Sequence, residues 1–239
     1  MDSIVGQKDA LKTIVASLNG GRLHHAWIFS GPRGVGKCTT AMAFARSFLG
    51  TTDLGHEADL HYICKEDVAW SKNPALQKRK QTNIPIDLLR ERVIGGKTSD
   101  GKMHDAVAYK TPFAGKRKVF IIDEAELLDE SGQNALLKTL EEPPGGTIII
   151  LVTSREDILL PTILSRCQSV AFSPLSEIDM MKWAENCLSD VCSEELSWAS
   201  ACSCGSPGVV CEILDTGLAS LMGEISRFLT WDGSCLYTE

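Results

Sequence analysis

No apolar run in these 239 residues approaches the roughly 18 consecutive positions that would span a bilayer, the longest candidates being strand-length pieces such as Ile148 to Val152. Nor does Met1 to Gln7 have the basic start and apolar core of a secretory leader, so the expectation is a soluble, cytoplasmic protein with no membrane partner. Metal-type cysteine spacing is also missing. None of the nine cysteines (38, 64, 167, 187, 192, 202, 204, 211, 235) forms a C-x₂-C pair, and their odd number suits reduced thiols better than a disulfide framework. Internal repeats and low-complexity tracts are absent. So is an excess of positive charge: the net of −7 weighs against a protein that coats nucleic acid unaided.

What is present is an ordinary globular composition, 44% hydrophobic and 23% charged, in a length that allows a medium domain with a small companion. The average charge conceals an asymmetry. Residues 69 to 118 hold 12 Lys/Arg against 4 Asp/Glu, whereas from Cys167 onward 11 acids face only Lys182 and Arg227. The basic tract of Lys72, Lys78, Arg79, Lys80, Arg90 and Arg92 is either a DNA-phosphate contact or a solvated loop.

Hydrophobic spacing predicts a helix over 7–19, a strand over 25–30, a helix over 38–49 and a linker over 50–55. A short strand at 60–63 follows, and then an amphipathic helix around Ile86, Leu89 and Val93 that Gly95 to Gly101 breaks. The continuous apolar runs 119–123 and 148–152 read as strands buried on both faces, with a helix around Leu136 and Leu140 between them. Residues 158–164 read as a helix and 169–172 as a last strand, after which only helical spacing continues, to about Leu229. Alternating strand and helix predicts an α/β fold with a doubly wound parallel sheet over residues 1–173 and a small all-helical domain over 174–239.

Gly31-Pro32-Arg33-Gly34-Val35-Gly36-Lys37-Cys38 fits G-x-x-x-x-G-K-[ST] except at its last position, with a strand before it and a helix after. In such a loop the backbone N–H groups converge on phosphate oxygens and the lysine reaches the terminal phosphates. Cys38 stands where a hydroxyl would ligate Mg²⁺, a hard cation that prefers oxygen to sulfur. Metal-assisted hydrolysis is therefore expected to be weakened, and Thr39 is turned about 100° away along the helix. Two readings of Cys38 stand together: packing where hydrolysis no longer matters, or residual ATPase activity. Downstream, Asp123-Glu124 closes a buried strand, which makes Asp123 a metal-side carboxylate and Glu124 a candidate base.

Together with Ile4-Val5-Gly6-Gln7, Asp123-Glu124-Ala125-Glu126, the string Asn134 to Pro144 and Pro161-Thr162-Ile163-Leu164-Ser165-Arg166-Cys167, these residues resemble the AAA+ clamp-loader subunits. Within that family the imperfect phosphate loop looks more like the bacterial DNA polymerase III delta-prime subunit than the ATP-hydrolysing gamma/tau subunit. The resemblance implies a subunit of the replicative holoenzyme that assists ATP-dependent loading of the sliding clamp on primer-template DNA. It implies weak or no hydrolysis, no polymerase site of its own, and gamma/tau-like and delta-like subunits as partners. ATP with Mg²⁺ is the implied ligand. Arg166 becomes an arginine finger acting in trans, of a kind worth about 10³ to 10⁵ in rate, with a surface arginine pairing with an acid as the alternative. Thr153 or Ser154 resembles the polar sensor of the γ-phosphate, with a bare loop hydroxyl as the alternative.

The sequence departs from that pattern in three places. Only Cys64 lies where the family carries a four-cysteine zinc module, so no zinc is expected. Gly205-Ser206-Pro207-Gly208 resembles the sensor-2 turn but lacks its arginine, and the family's collar domain is expected to be absent before Glu239. An autonomous P-loop ATPase and a non-enzymatic scaffold without nucleotide binding remain the alternative functions. On sequence alone, Cys38→Thr is expected to strengthen Mg²⁺-dependent nucleotide binding, measured as the change in affinity on adding Mg²⁺.

Overall fold

The apolar runs become the strands of one parallel sheet. The structure, a computed structural model, describes residues 4–20, 23–50, 58–78, 80–113, 117–188, 191–218 and 221–222. Arg79, most of the expected linker at 50–55 and the expected helical material from 223 to 229 lie outside the described residues.

In chain order the elements are α1 (Lys8–Asn19), β1 (Ala26–Ser30), α2 (Lys37–Leu49), β2 (Leu60–Ile63) and a 3₁₀ segment Lys65–Trp70. Next come α3 (Pro74–Gln77), α4 (Ile86–Leu89) running into a π-turn Arg90–Ile94, and the two-residue strands β3 (Gly96–Lys97) and β4 (Met103–His104). Then follow β5 (Lys118–Ile122), α5 (Glu130–Glu141), β6 (Thr147–Thr153), α6 (Pro161–Leu164) and β7 (Gln168–Ala171). Three helices complete the order: α7 (Glu177–Cys187), α8 (Ser193–Cys202) and α9 (Pro207–Asp215).

The five-stranded sheet has the order β2-β5-β6-β1-β7, all parallel, while β3 and β4 form a separate antiparallel pair. Every residue of β1, β5 and β6 is buried, as continuous apolar runs in a sheet covered on both faces must be. Alternation along β1 splits the core. Ala26 and Ile28 join Phe120, Ile122, Ile149, Leu151, Leu136 and Leu140, whereas Trp27 stacks edge-on to Phe44 of α2, with centroids 5.5 Å apart.

One expected helix is shorter than its spacing suggests. Residues 158–164 yield only the single turn α6, because Pro161 holds Leu160 extended (φ −59°, ψ 139°) and restarts the helix at its first position. Gln133 fixes this turn's approach: its Oε1 accepts from Leu160 N at 2.8 Å. The helix around Ile86 to Val93 carries buried acids on its face. Glu91 accepts from Ser71 Oγ at 2.6 Å and Lys72 N at 3.0 Å, and Asp87 accepts from Ser99 N at 3.0 Å. These acids fold the basic tract around themselves, pairing Arg90 with Asp87 and leaving Lys72, Lys78 and Lys80 exposed.

The chain divides into two compact units, residues 1–31 with 37–172 and residues 32–36 with 173–239. The glycine loop is thus shared between them, its middle five residues grouping with the helices. Within the second unit Ser176 caps α7 by accepting from Asp179 N, and Leu175 N donates to Gly205 O at 2.7 Å.

Gly31 ends β1 where no larger residue fits. Its φ is +144°, and a Cβ there would lie 2.2 Å from the carbonyl oxygen of Phe172, whose own N–H donates to Ser30 O at 2.7 Å. Gly31→Ala is therefore expected to lower stability by about 3 kcal/mol, seen as a reduced urea midpoint at unchanged slope.

Candidate functional site

The register of the sheet assembles the site. Ser30 lies opposite Thr153 and Ile122 opposite Leu151, so Gly31, Asp123 and Ser154 all leave the sheet at its carboxyl edge, where ligands of open α/β sheets bind. Lys37, the first residue of α2, is buried and donates from Nζ to Gly31 O at 2.7 Å. Burial lowers its pKa, and the negative charges of Glu126 and Asp123 work in the opposite direction. Thr39 is exposed on the following turn.

Cys38 reaches a partner the sequence did not suggest. Its Sγ donates to Tyr62 Oη at 3.7 Å, and Tyr62 Oη donates to Asp123 Oδ2 at 2.6 Å. Burial, and then the Asp123 charge, push the Cys38 thiol up to about 11, so it stays a neutral S–H at pH 7. The other Asp123 oxygen, Oδ1, accepts from Glu124 N at 2.9 Å. Both oxygens of the expected metal-side carboxylate are thus turned to protein hydrogens, and the adjoining position supplies sulfur. Cys38 Sγ does not suit Mg²⁺, a hard cation that prefers oxygen, and each Asp123 oxygen already accepts one hydrogen bond. Among the described residues no group of three or more His, Cys, Asp or Glu side chains is placed to hold a metal ion.

Glu124, the candidate base, has left-handed backbone (φ 50°, ψ 49°), uncommon for a residue with a side chain. Its carboxylate receives Lys65 Nζ on both oxygens, at 2.9 and 2.8 Å. Lys65 opens the 3₁₀ segment after β2, whose first turn is set by Asp67 accepting from Cys64 N at 3.1 Å. Tyr62 and Lys65 therefore both come from the edge strand and its exit. No motif marks them; only the β2–β5 pairing, Tyr62 opposite Ile121 and Ile63 opposite Ile122, brings them to Asp123 and Glu124.

The two sensor candidates differ. Thr153 is buried and its Oγ1 accepts from Arg155 N at 3.0 Å, which turns it into a backbone anchor. Ser154 instead gives both its N–H and its hydroxyl to Glu126 Oε1, leaving Glu126 Oε2 buried without a hydrogen-bond partner. Burial works against the Glu126 charge, but the Ser154 and Thr153 hydrogen bonds prevail and hold its pKa below the ordinary value of 4.5. Glu126 belongs to the Asp123–Glu126 string, yet nothing in that string assigned it a role.

Arg166 follows α6, one turn of helix pinned by fully buried Ile163. Its side chain is 36% exposed, and its guanidinium bonds Glu141 Oε1 at 2.8 Å, Thr162 O at 2.9 Å and Ser165 Oγ at 3.3 Å. It is not buried in the core.

In the second unit the loop residues meet the 205–208 turn. Ser206 Oγ donates to Arg33 O at 2.7 Å and Gly208 N to Gly34 O at 2.8 Å. A Cβ on Gly208 would lie 2.7 Å from Gly34 Cα, so the close approach needs glycine on both sides. Val35 is buried, whereas Pro32 and Arg33 are exposed, Arg33 lying 3.5 Å from Glu212. Gly36 (φ +96°) has no heavy atom within 4 Å of where a Cβ would stand.

Strand order, phosphate loop and a small helical unit define the class as an AAA+ P-loop α/β fold. Residues 6–176 match the family model described as DNA polymerase III, delta subunit. Over 169 residues the chain is 34% identical to DNA polymerase III subunit gamma/tau of Mycobacterium tuberculosis, covering 71% of this chain and 28% of that protein. It is 35% identical over 188 residues to subunit gamma of Buchnera aphidicola subsp. Schizaphis graminum (77% and 48% covered) and 29% identical over 239 residues to subunit tau of Bacillus subtilis (100% and 39%). The chain thus spans half or less of the length of these relatives. In fold it is similar to the Thermotoga maritima RuvB Holliday junction branch migration motor, at TM-score 0.54 and 16% identity over 94% of this chain and 66% of that one. The chain belongs to the DNA polymerase III clamp-loader family of AAA+ proteins. No helix among the described residues is long and apolar enough to cross a membrane.

Because the Glu126 pKa is lowered by folding, its contribution to stability is present above pH 4.5 and is lost as pH falls through its folded value. Glu126→Gln is expected to be less stable at pH 7 and to lose less stability on acidification below pH 4.5 than the parent, read from urea unfolding at a series of pH values.

Proposed function

We propose that this chain is a clamp-loader subunit of the delta-prime kind. It binds nucleotide at residues 31–39, turns over little by itself, and offers Arg166 to the triphosphate site of a gamma/tau-like neighbour. Its partners on this reading are gamma/tau-like and delta-like subunits, and through the assembly the sliding clamp and primer-template DNA, in DNA replication.

The observation that carries this reading is a contrast within one unit. Asp123 and Glu124, the residues that would run hydrolysis here, are held by Tyr62 and Lys65, while Arg166 stands on the surface with only exposed or backbone partners. A guanidinium is planar, permanently charged and weakly hydrated, which suits it to neutralise charge developing on a phosphoryl group across an interface. Leaving Glu141 to do so costs little, because exposed ion pairs contribute at most about 1 kcal/mol. The autonomous-ATPase alternative would use Glu124 as its base, whose carboxylate here receives Lys65 on both oxygens.

Two measurements test this. Arg166→Ala in a complex reconstituted with ATPase partners, clamp and DNA is expected to lower ATP turnover at the neighbouring site by about 10³-fold, with melting temperature and nucleotide affinity of the isolated chain unchanged. Unaltered turnover in that complex would remove the finger. Lys37→Ala is expected to weaken nucleotide binding by the isolated chain by more than about tenfold, whereas steady-state hydrolysis by the isolated parent is expected to be near background.

A further inference from the structure

A phosphate loop followed by an aspartate at the end of the neighbouring buried strand ordinarily holds Mg²⁺ through the hydroxyl after the lysine and through that aspartate. Here the space between those two positions is already spanned. Tyr62 Oη stands 3.7 Å from Cys38 Sγ and 2.6 Å from Asp123 Oδ2. A cation at about 2.1 Å from Oδ2 along the same lone pair would overlap the phenolic oxygen. Oδ1 is turned to the backbone, where it accepts the Glu124 N–H at 2.9 Å.

The charge balance points the same way. In a metal-bearing site the ion screens the carboxylates from the phosphates. In this chain the hydrogen bond from Tyr62 spreads the Asp123 charge, and Lys65 neutralises Glu124 directly. Both functions of the ion, filling the gap and shielding the acids, are taken by side chains of β2 and its exit.

We propose that Tyr62 is a metal-excluding residue, whose hydroxyl occupies the divalent-cation position, so that the chain takes a nucleoside polyphosphate free of Mg²⁺. This rests on the reading of residues 31–39 as a nucleotide site, and it makes Tyr62, rather than Cys38 alone, the residue that sets the metal requirement. The expectation from sequence is thereby revised. Cys38→Thr supplies a hydroxyl but leaves Tyr62 in place, so the single substitution does not create a metal site.

The experiment is calorimetric titration of the full chain with ATP, in excess Mg²⁺ and again in EDTA, for the parent, Cys38→Thr and the double variant Cys38→Thr/Tyr62→Ser. Circular dichroism and thermal melting establish that each is folded; Tyr62 is 40% exposed on an edge strand, a position that tolerates replacement. The parent and Cys38→Thr are expected to bind within about twofold in the two buffers, and the double variant to bind at least about tenfold more tightly with Mg²⁺. Mn²⁺ electron paramagnetic resonance in the presence of ATP is expected to show protein-bound metal only in the double variant. The proposal is overturned if the parent or Cys38→Thr binds at least about tenfold more tightly with Mg²⁺, or if the double variant does not respond to it. Should the parent bind no ATP in either buffer, Mg²⁺-dependent binding gained by the double variant upholds the exclusion, and binding by none of the three overturns it. Failure of the chain to join gamma/tau-like partners would overturn the clamp-loader reading and leave this metal pattern standing.

Discussion

Ser30 faces Thr153 across one pair of strands, Ile122 faces Leu151 across the next, and Ile63 faces Ile122 across the third. That parallel register is the constraint on which the rest depends. Parallel strands all end on one side, so a glycine loop, two carboxylates, a sensor-position serine and a tyrosine separated widely in sequence are delivered to one edge. A slip of one residue in β2 would send Tyr62 to the opposite face and bring His61, now stacked on Phe120 with centroids 4.6 Å apart, to the carboxylate side.

At that edge each carboxylate has an internal partner. Asp123 has Tyr62 and a backbone N–H, Glu124 has Lys65, and Glu126 has Ser154. Buried or half-buried carboxylates must find such partners, because a bare charge at a sheet end carries a desolvation penalty of several kcal/mol. Each of these carboxylates is thus oriented by a hydrogen bond or ion pair from a neighbouring strand or loop.

The surface around Arg166 follows a different logic. α6 is one turn long, its length set by Pro161 and its position by Ile163 in the core and by Gln133 beneath it. A rigid platform thus carries an arginine whose partners are exposed or backbone groups, an arrangement that holds a guanidinium in place without committing it to the interior.

The parallel α/β sheet was legible in the chain because strands buried on both faces must be continuously apolar, as 119–122 and 148–152 are, and because the loop from Gly31 to Lys37 needs a strand before it and a helix after. The candidate residues of that loop, Asp123, Glu124 and Arg166 were legible through motif strings. Sequence spacing by itself overstated α6 and missed Tyr62, Lys65 and Glu126 as members of the site. Local periodicity reports which face of an element is apolar, but it carries no record of which strand pairs with which, nor of how far along. Asp123 meets Tyr62 from 61 positions away only because β2 lies beside β5 in one particular register. That pairing, and with it the contact between Tyr62 and Asp123, belongs to the tertiary structure.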